Sequence, residues 1–168
     1  MIKNIAFNDY TKEMLNQLTK GAFLTVKNGD IVNTMTIGWG NIGYIWKKPI
    51  FTVAVRISRY TYDLIEKSKE FTVSVPIKKN MKKELLICGT KSGRDVDKFK
   101  ECGLTKEKGQ YLGTPIIGEC ELHYECKIVH QQLIEPALLD NDIREKIYSD
   151  NDFHVMYYGE IVASYIKE

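Results

Sequence analysis

Large apolar residues alternate with polar or small ones along parts of this chain, which is the period of a β-strand with one buried face. The clearest segment is FTVAVRIS, residues 51–58, in which every second side chain is Phe, Val or Ile. We also predict strands at AFLTV (22–26), IVNTMTIGW (31–39) and FTVSV (71–75), and in two longer segments, 115–134 and 154–166. The pattern therefore predicts a mainly β protein.

Short helices are predicted between these strands. TKEMLNQL (11–18) carries an apolar stripe of one methionine and two leucines, and Asn8 or Asp9 is placed to cap its N-terminus. TYDLIEKSKE, with Thr61 as its predicted cap, and MKKELLI are the next two helices. LLDNDIREKIYSD (138–150) fits either a helix or an irregular insertion.

The connections between these elements are short. Asn28-Gly29-Asp30 lies between two predicted strands and is typical of a hairpin turn. No repeat, low-complexity segment or long linker divides the chain, so we expect a single domain over residues 1–168. Clustered strands joined by turns, without regular alternation of strands and helices, predict an antiparallel β-barrel with short added helices.

Charge and hydropathy argue against several classes of function. The 168 residues include 24 Lys and Arg against 22 Asp and Glu, and this net charge of +2 is too small for nucleic-acid binding through bulk charge. No apolar run approaches the roughly 20 residues of a membrane-spanning helix, and the start MIKNIAFNDY lacks the apolar core of a signal peptide. We therefore expect a soluble cytoplasmic protein that binds neither nucleic acid nor membrane.

The spacing of cysteines and histidines argues against a metal site. The four cysteines form no CxxC pair, and Cys120 and Cys126 share one predicted strand. At about 3.3 Å per residue these two lie roughly 20 Å apart, too far for a disulfide or a shared metal. His123 and His130 differ by an odd number of residues, which places them on opposite faces of that strand. We expect free thiols and no zinc site.

GWGNIG (38–43) matches the dinucleotide-binding fingerprint G-x-G-x-x-G, and Asp63 follows twenty residues later. That fingerprint functions only where its last glycines open a helix whose N-terminus faces a pyrophosphate. Here YIWKKP follows, and Pro49 stands where a helix needs its second turn. We predict a bend at the end of a strand and no Rossmann domain.

Polar groups cluster where the strand FTVAVRIS runs into the helix that follows it. This first cluster consists of Arg56, Ser58, Arg59 and Thr61. Guanidinium groups, hydroxyls and free N–H groups at a helix N-terminus together bind anions, most naturally a phosphate. An ordinary helix cap flanked by solvated arginines is an equally good interpretation of this cluster alone.

Two more polar clusters lie on a strand and on a loop. NTMTIGWG places Asn33, Thr34 and Thr36 around Met35, a set that suits the polar edge and apolar face of a planar heterocycle. SGRDVDKF carries polar groups on a glycine-containing turn: Ser92, Arg94, Asp95 and Lys98. A strand with one solvated face and a solvated loop that opens a short helix are the alternatives.

NTMTIGWG, KPIFTVAVRISRYT and CGTKSGRDVDKF, in this order and at these separations, resemble the flavin reductase-like family, especially its flavoredoxin-type branch. TPIIGECELHYECK and HVMYYGEIV resemble the later strands of that family, so the likeness covers nearly the whole chain. The resemblance implies an antiparallel, six-stranded FMN-binding split β-barrel. It also implies a homodimer that holds FMN without a covalent bond at or near the subunit interface.

The same resemblance implies roles for particular residues, whereas ALLDNDIREKIYSDND carries no clear motif. His154 precedes the last strand, where the family often has a histidine near the flavin. Residues implied along the flavin ring are Asn33, Thr34, Met35 and Thr36, with Val55 and Arg56 beside them; those on the phosphate side are Ser58, Arg59, Tyr60 and Thr61; those completing the pocket are Ser92, Gly93, Arg94 and Lys98.

The implied function is redox chemistry carried by the flavin, which requires no protein nucleophile or general acid, and we assign no catalytic residue. We expect an FMN-dependent oxidoreductase that takes hydride from a nicotinamide nucleotide and reduces flavin or another small acceptor. An FMN electron carrier reduced by a redox protein is the alternative, and a non-catalytic binding module is a third. Trp39, Tyr44 and Trp46 form an aromatic group that is typical of a subunit interface or of a core.

Overall fold

Antiparallel strands are the main secondary structure of this computed structural model, which describes residues 1–167. The prediction of a mainly β chain with short helices is confirmed. The strands are β1 (Ile2–Asn4), β2 (Ala22–Asn28), β3 (Ile31–Ile37), β4 (Gly40–Ile45), β5 (Lys48–Arg56), β6 (Glu70–Val75), β7 (Lys106–Glu107), β8 (Ile116–Ile117), β9 (Leu122–Leu133) and β10 (His154–Lys167). The helices are α1 (Thr11–Leu18), α2 (Tyr60–Ser68), α3 (Lys82–Thr90), α4 (Lys98–Cys102) and α5 (Asn141–Ile147), with a 3₁₀ helix at Pro136–Leu138.

Within residues 1–167, one sheet contains eight of these strands in the order β3-β2-β6-β9-β10-β5-β4, with β1 paired to β10. Neighbouring strands are antiparallel throughout. β7 and β8 form a separate two-stranded sheet. The resemblance implied six strands. The sheet exceeds that number because β1 adds to β10 and β4 folds back on β5.

Two tight turns connect the hairpins at the edges of the sheet. The predicted Asn28-Gly29-Asp30 turn joins β2 to β3, with Gly29 at φ +59°. β4 and β5 are joined through Trp46 and Lys47, which both adopt left-handed backbone conformations at φ 55° and 57°. GWGNIG therefore leads into a strand rather than a helix. This confirms that the glycines do not open a dinucleotide-binding helix, although the strand β4 itself was not predicted.

Strand β2 is buried on both faces, and it separates two apolar cores. Ala22 and Leu24 face the main core, which lies between the large sheet and helices α1 and α2, whereas Phe23 faces a second core. The second core consists of Phe23, Met81, Leu85, Cys88, Phe99, Leu104, Ile117 and Cys120. Because buried apolar area stabilises by about 25 cal/mol per Å², this core holds α3 and α4, and the loop that joins them, against β2 and β3.

The predicted caps of α1 and α2 are both wrong. No side chain caps α1, and the carboxylate of Asp9 instead accepts a hydrogen bond from the N–H of Ala6 at 2.8 Å. Helix α2 begins directly after Arg59, so Thr61 lies in its first turn. The Thr61 Oγ1 accepts a hydrogen bond from Asn33 Nδ2 at 2.9 Å, which ties α2 to β3 and leaves the start of α2 without a side-chain cap.

Segment 138–150, for which the sequence left a helix and an irregular insertion open, contains the helix α5. The carboxylate of Asp140 caps this helix by accepting a hydrogen bond from the N–H of Asp142 at 2.9 Å. Helices α2 and α3 are the longest in residues 1–167, at nine residues each. No helix in that range has the length and apolar character to cross a membrane.

Candidate functional site

A cavity of about 420 Å³ lies where β3, the end of β5, the start of α2 and the loop between α3 and α4 meet. The three polar clusters of the sequence therefore come together in space, although they are separate in the chain. Residues of the segment that follows α5 complete the wall. The lining residues are Asn33, Met35, Arg56, Ser58, Arg59, Tyr60, Thr61, Thr90, Lys91, Ser92, Gly93, Arg94, Lys98, Asp150 and Asp152.

Two of the residues implied by the resemblance line neither this cavity nor the smaller one beside it. Thr34 is fully buried, and its Oγ1 donates to Leu24 O at 3.2 Å and bonds to Thr25 Oγ1 at 3.1 Å. Val55 is fully buried in the main core, whereas the next residue, Arg56, lines the cavity. Alternation along a strand explains both placements, because neighbouring side chains point to opposite faces.

Lys98 and Arg59 are two cations of the cavity that have no carboxylate partner within residues 1–167. The Lys98 side chain is only 5% exposed, and its Nζ donates a hydrogen bond to Cys88 O at 2.8 Å. Burial lowers the pKa of the Lys98 ammonium, and the positive charge of Arg59 lowers this pKa further. The Arg59 guanidinium donates to Gly89 O at 3.0 Å. An anion bound between these two side chains would balance their charge.

The other cations of the α3–α4 loop are already paired. Arg94 forms an ion pair with Asp63 at 2.6 Å and lies over the ring of Tyr60, 5.2 Å from its centroid. Lys91 is paired with Glu101. These contacts hold the loop at the rim of the cavity. Within residues 1–167 they leave two cations of the cavity without a carboxylate partner, the buried Lys98 and the exposed Arg59.

Arg56 and Ser58, both implied at the cofactor, are bound to the segment that follows α5. Arg56 Nη1 donates to Asp150 Oδ1 at 3.2 Å and to the carbonyl of Asp152 at 2.9 Å, and Nη2 donates to the carbonyl of Ile147 at 3.0 Å. Both the N–H and the Oγ of Ser58 donate to the Asp152 carboxylate, at 3.1 and 2.5 Å. Asp152 thus occupies donors that the sequence offered to a phosphate.

A smaller cavity of about 130 Å³ adjoins the first and shares Met35, Arg56 and Arg59 with it. Its further walls include Thr36, Trp39, Ala54 and His154. The rings of Trp39 and His154 lie 4.8 Å apart between centroids. Thr36 and His154, implied near the flavin, therefore line this second space rather than the first.

His154 is hydrogen-bonded to Tyr148, which belongs to segment 137–152, for which the sequence predicted no role. Its Nδ1 and the hydroxyl of Tyr148 are hydrogen-bonded at 2.9 Å. Burial lowers the pKa of His154 to about 4, and the charge of Arg56 contributes to this shift. Burial also raises the pKa of Tyr148. At neutral pH the pair is therefore an uncharged imidazole and an uncharged phenol.

Sequence reasoning missed several residues of the site: Trp39 as a wall of the second cavity, Thr90, Lys91, Tyr148, Asp150 and Asp152. The run YSDND was a usable signal for the two aspartates, because exposed acidic residues are natural partners for unpaired arginines. No group of three or more His, Cys, Asp or Glu side chains in residues 1–167 is arranged to bind a metal ion.

The chain belongs to the flavin reductase-like domain family, whose model matches residues 19–168. It is also similar to an uncharacterized protein of Archaeoglobus fulgidus, at 31% identity over 109 residues, or 65% of this chain. The match spans 60% of the length of that relative. Because the family model matches residues 19–168, the family assignment rests on most of this chain.

Solved structures agree with this assignment. Flavoredoxin of Desulfovibrio vulgaris (Miyazaki F) is 27% identical with a TM-score of 0.69, over 88% of this chain and 69% of that one. An FMN-binding domain of a flavin reductases-like enzyme from Shewanella baltica OS155 is 17% identical with a TM-score of 0.68, over 99% and 77%. A Shewanella frigidimarina protein with a split barrel domain is also 17% identical with a TM-score of 0.68, over 93% and 72%. The fold is a split barrel.

Proposed function

We propose that the protein binds FMN without a covalent bond in the 420 Å³ cavity, with the phosphate held by Arg59, Lys98 and the N-terminus of α2. This proposal rests on Lys98 and Arg59, which have no carboxylate partner within residues 1–167. Both lie beside the start of α2, which no side chain caps. Buried charge costs free energy unless an opposite charge balances it, and free N–H groups at a helix start favour an anion. The similar fold of the FMN-binding domain from Shewanella baltica also favours FMN as the cofactor.

The ring of FMN would lie along β3, toward the second cavity. Met35 offers an apolar surface there. The Asn33 amide donates to Thr61 and the Thr36 hydroxyl donates to Leu85 O, so these two side chains would shape the wall beside the ring. Ser92 and Gly93 bring the α3–α4 loop against the phosphate side. When bound, FMN supplies hydride and single-electron transfer, while the chain orients the ring and limits its access to solvent.

The function that we propose is an oxidoreductase that passes electrons from a nicotinamide nucleotide, through bound FMN, to flavin or another small acceptor. The second cavity supports this choice, because Trp39 and the uncharged His154 offer apolar ring faces beside the proposed flavin site. A volume of about 130 Å³ suits one planar ring rather than a whole dinucleotide. The remainder of a nucleotide would therefore lie across the surface.

A second candidate is an FMN electron carrier that a redox protein reduces. The likeness to the Desulfovibrio vulgaris flavoredoxin favours it. Anaerobic mixing of the FMN-loaded protein with NADH, NADPH or a reduced ferredoxin, followed by flavin absorbance, separates the two. The oxidoreductase proposal predicts rapid reduction by at least one nucleotide. If only ferredoxin reduces the flavin, the oxidoreductase proposal is wrong and the protein is an electron carrier. If none of the three donors reduces it, the protein is a binding module.

We also propose that the protein is a homodimer. Trp46 is 55% exposed and packs edge-on against His130 and Tyr158, with ring centroids 5.8 and 6.0 Å away, on the outer surface of β9 and β10. Tyr44 is 65% exposed on the neighbouring β4. Large aromatic side chains are enriched at subunit interfaces. Light scattering at micromolar concentration tests this proposal, and a monomer with FMN bound would refute it.

A further inference from the structure

Two cysteines meet behind the α3–α4 loop. Cys88, on the last turn of α3, and Cys102, the last residue of α4, have their Sγ atoms 4.0 Å apart, and both are free thiols. Cys120 contacts the Sδ of Met81 at 3.8 Å instead, and Cys126 is buried in the main core. Within residues 1–167, Cys88 and Cys102 are therefore the cysteines whose sulfur atoms are in contact.

We propose that Cys88 and Cys102 form a reversible intramolecular disulfide when the protein meets a low-molecular-weight disulfide. The sulfur atoms must approach by about 2 Å to reach bonding distance. Cys102 reacts first because it is partly accessible to solvent, whereas Cys88 is only 1% exposed. Both cysteines belong to helices that pack on the second core, so the pair is held together before it reacts.

The exchange has two steps and balances internally. The Cys102 thiolate attacks the external disulfide, forms a mixed disulfide and releases one small thiol. The Cys88 thiolate then attacks the Cys102 sulfur of that mixed disulfide and releases the second small thiol. The two protein thiols lose two electrons and two protons, and the external disulfide gains both as it becomes two thiols.

The surroundings of the pair make Cys102 the better nucleophile. Burial raises the pKa of both thiols, that of Cys88 to about 12. The hydrogen bond between the sulfur atoms acts in opposite directions, lowering the pKa of Cys102 and raising that of Cys88. Other charged side chains near one or both sulfur atoms are Glu84, Lys91, Lys98 and Glu101. We expect slow exchange at neutral pH and faster exchange at higher pH.

A disulfide at this position would constrain the cofactor loop. The bond closes a ring that contains residues 92–98, the loop that lines the 420 Å³ cavity. The carbonyl of Cys88 also holds Lys98 Nζ at 2.8 Å. Oxidation should therefore fix the loop and tighten FMN binding roughly fivefold or more in the dissociation constant. Because affinity differences between closely related complexes lie mostly in the dissociation rate, FMN release should become slower. This last step, unlike the disulfide itself, rests on the proposed FMN site.

Incubation of the reduced full chain with oxidised glutathione, followed by intact mass and peptide mapping under denaturing conditions, tests the disulfide without FMN. We expect the loss of two hydrogen atoms and a linked Cys88–Cys102 peptide. Cys88→Ser should stop at a glutathione adduct on Cys102, and Cys102→Ser should remain unmodified. Cys126→Ser, at a thiol without a sulfur neighbour, should still form the link. A stable glutathione adduct in the wild type, no reaction, or a link through another cysteine would overturn the proposal.

FMN release from the oxidised and reduced chains, measured by flavin fluorescence after dilution, then tests the coupling to the loop. Slower release after oxidation supports it, and equal or faster release overturns the coupling. The Cys88→Ser chain, treated in the same way, controls for oxidation elsewhere. If no FMN binds while the linked peptide forms, the proposed cofactor site fails and the disulfide stands.

Discussion

The side-chain oxygen of Asn33 lies against the α-carbon of Gly93, so that a Cβ at position 93 would stand 2.1 Å from it. The same Cβ would stand 2.9 Å from the ring of Tyr60. Asn33 cannot turn away freely, because its Nδ2 donates to Thr61 Oγ1 at 2.9 Å. The α3–α4 loop therefore reaches β3 and α2 only because residue 93 is glycine.

Gly93→Ala should weaken FMN binding, because the loop must move off β3 to accommodate the methyl group. A cost of about 1–3 kcal/mol for overpacking corresponds to roughly 5- to 150-fold in the dissociation constant. Fluorescence titration with FMN measures this change. Gly43→Ala is the matched control, since a Cβ there meets no atom within 4 Å, and it should bind FMN as the wild type does. Equal affinities in all three chains would place the cofactor away from this loop.

Arg59→Ala should weaken the binding of FMN more than that of riboflavin, because only FMN carries the phosphate. One lost charge-assisted hydrogen bond is worth roughly 1.5–3 kcal/mol, or about 10- to 150-fold in affinity. Parallel titrations with the two flavins measure the ratio. Arg144→Ala, which removes an exposed arginine of α5 outside both cavities, should leave the ratio unchanged. If Arg59→Ala lowers the affinity for both flavins equally, residues other than Arg59 bind the phosphate.

Local sequence signals predicted much of this fold. Alternation located the strand that ends at Arg56, and Asn28-Gly29-Asp30 located the hairpin between β2 and β3. The strand β4 was missed because Trp46 and Lys47 form its turn in left-handed conformations, which ordinary turn residues such as asparagine and glycine usually provide. The cap of α2 was misplaced because Thr61 uses its hydroxyl for a contact with another strand.

Long-range contacts account for what the sequence could not predict at the site. The three polar clusters were visible, and the structure brings most of their residues to one cavity, whereas Thr34 turns to the interior and Thr36 lines the second cavity. The bonds from Arg56 and Ser58 to Asp152 join residues more than 90 positions apart, so no local pattern reports them. The contact between Cys88 and Cys102 depends in the same way on how α3 and α4 pack in the second core.

Asp152→Ala should loosen the segment that follows α5, because Ser58 then loses both acceptors for its N–H and Oγ. We expect faster hydrogen exchange across residues 141–153 and a free energy of unfolding lower by about 1–3 kcal/mol. Hydrogen-exchange mass spectrometry and urea unfolding measure the two effects. Asp142→Ala is the control, since that carboxylate pairs with exposed Lys146, and it should leave exchange around Ser58 unchanged. Unchanged exchange after Asp152→Ala would contradict the anchoring role of this carboxylate.

The free energy of unfolding should fall as the pH drops from about 6.5 to about 4. Burial lowers the pKa values of His123 and His154 from 6.5 to about 4 in the folded chain. The unfolded chain therefore takes up protons over this range, and each histidine costs about 2 kcal/mol at most between pH 7 and pH 5. Urea unfolding at several pH values measures the slope. His154→Gln should reduce this slope, because His123 alone then contributes to it. His130→Gln, at an exposed position, should leave the slope unchanged. A wild-type stability that does not vary over this pH range would contradict these pKa values.

Both proposed redox functions require that this chain hold FMN in the cavity between β3, α2 and the α3–α4 loop. Titration of FMN into flavin-free protein, followed by flavin fluorescence and absorbance, measures this binding. We predict saturable binding of one FMN per chain, weaker binding of riboflavin, and full release of unmodified FMN on denaturation. If the folded protein shows no saturable binding of FMN, the proposed cofactor site is wrong.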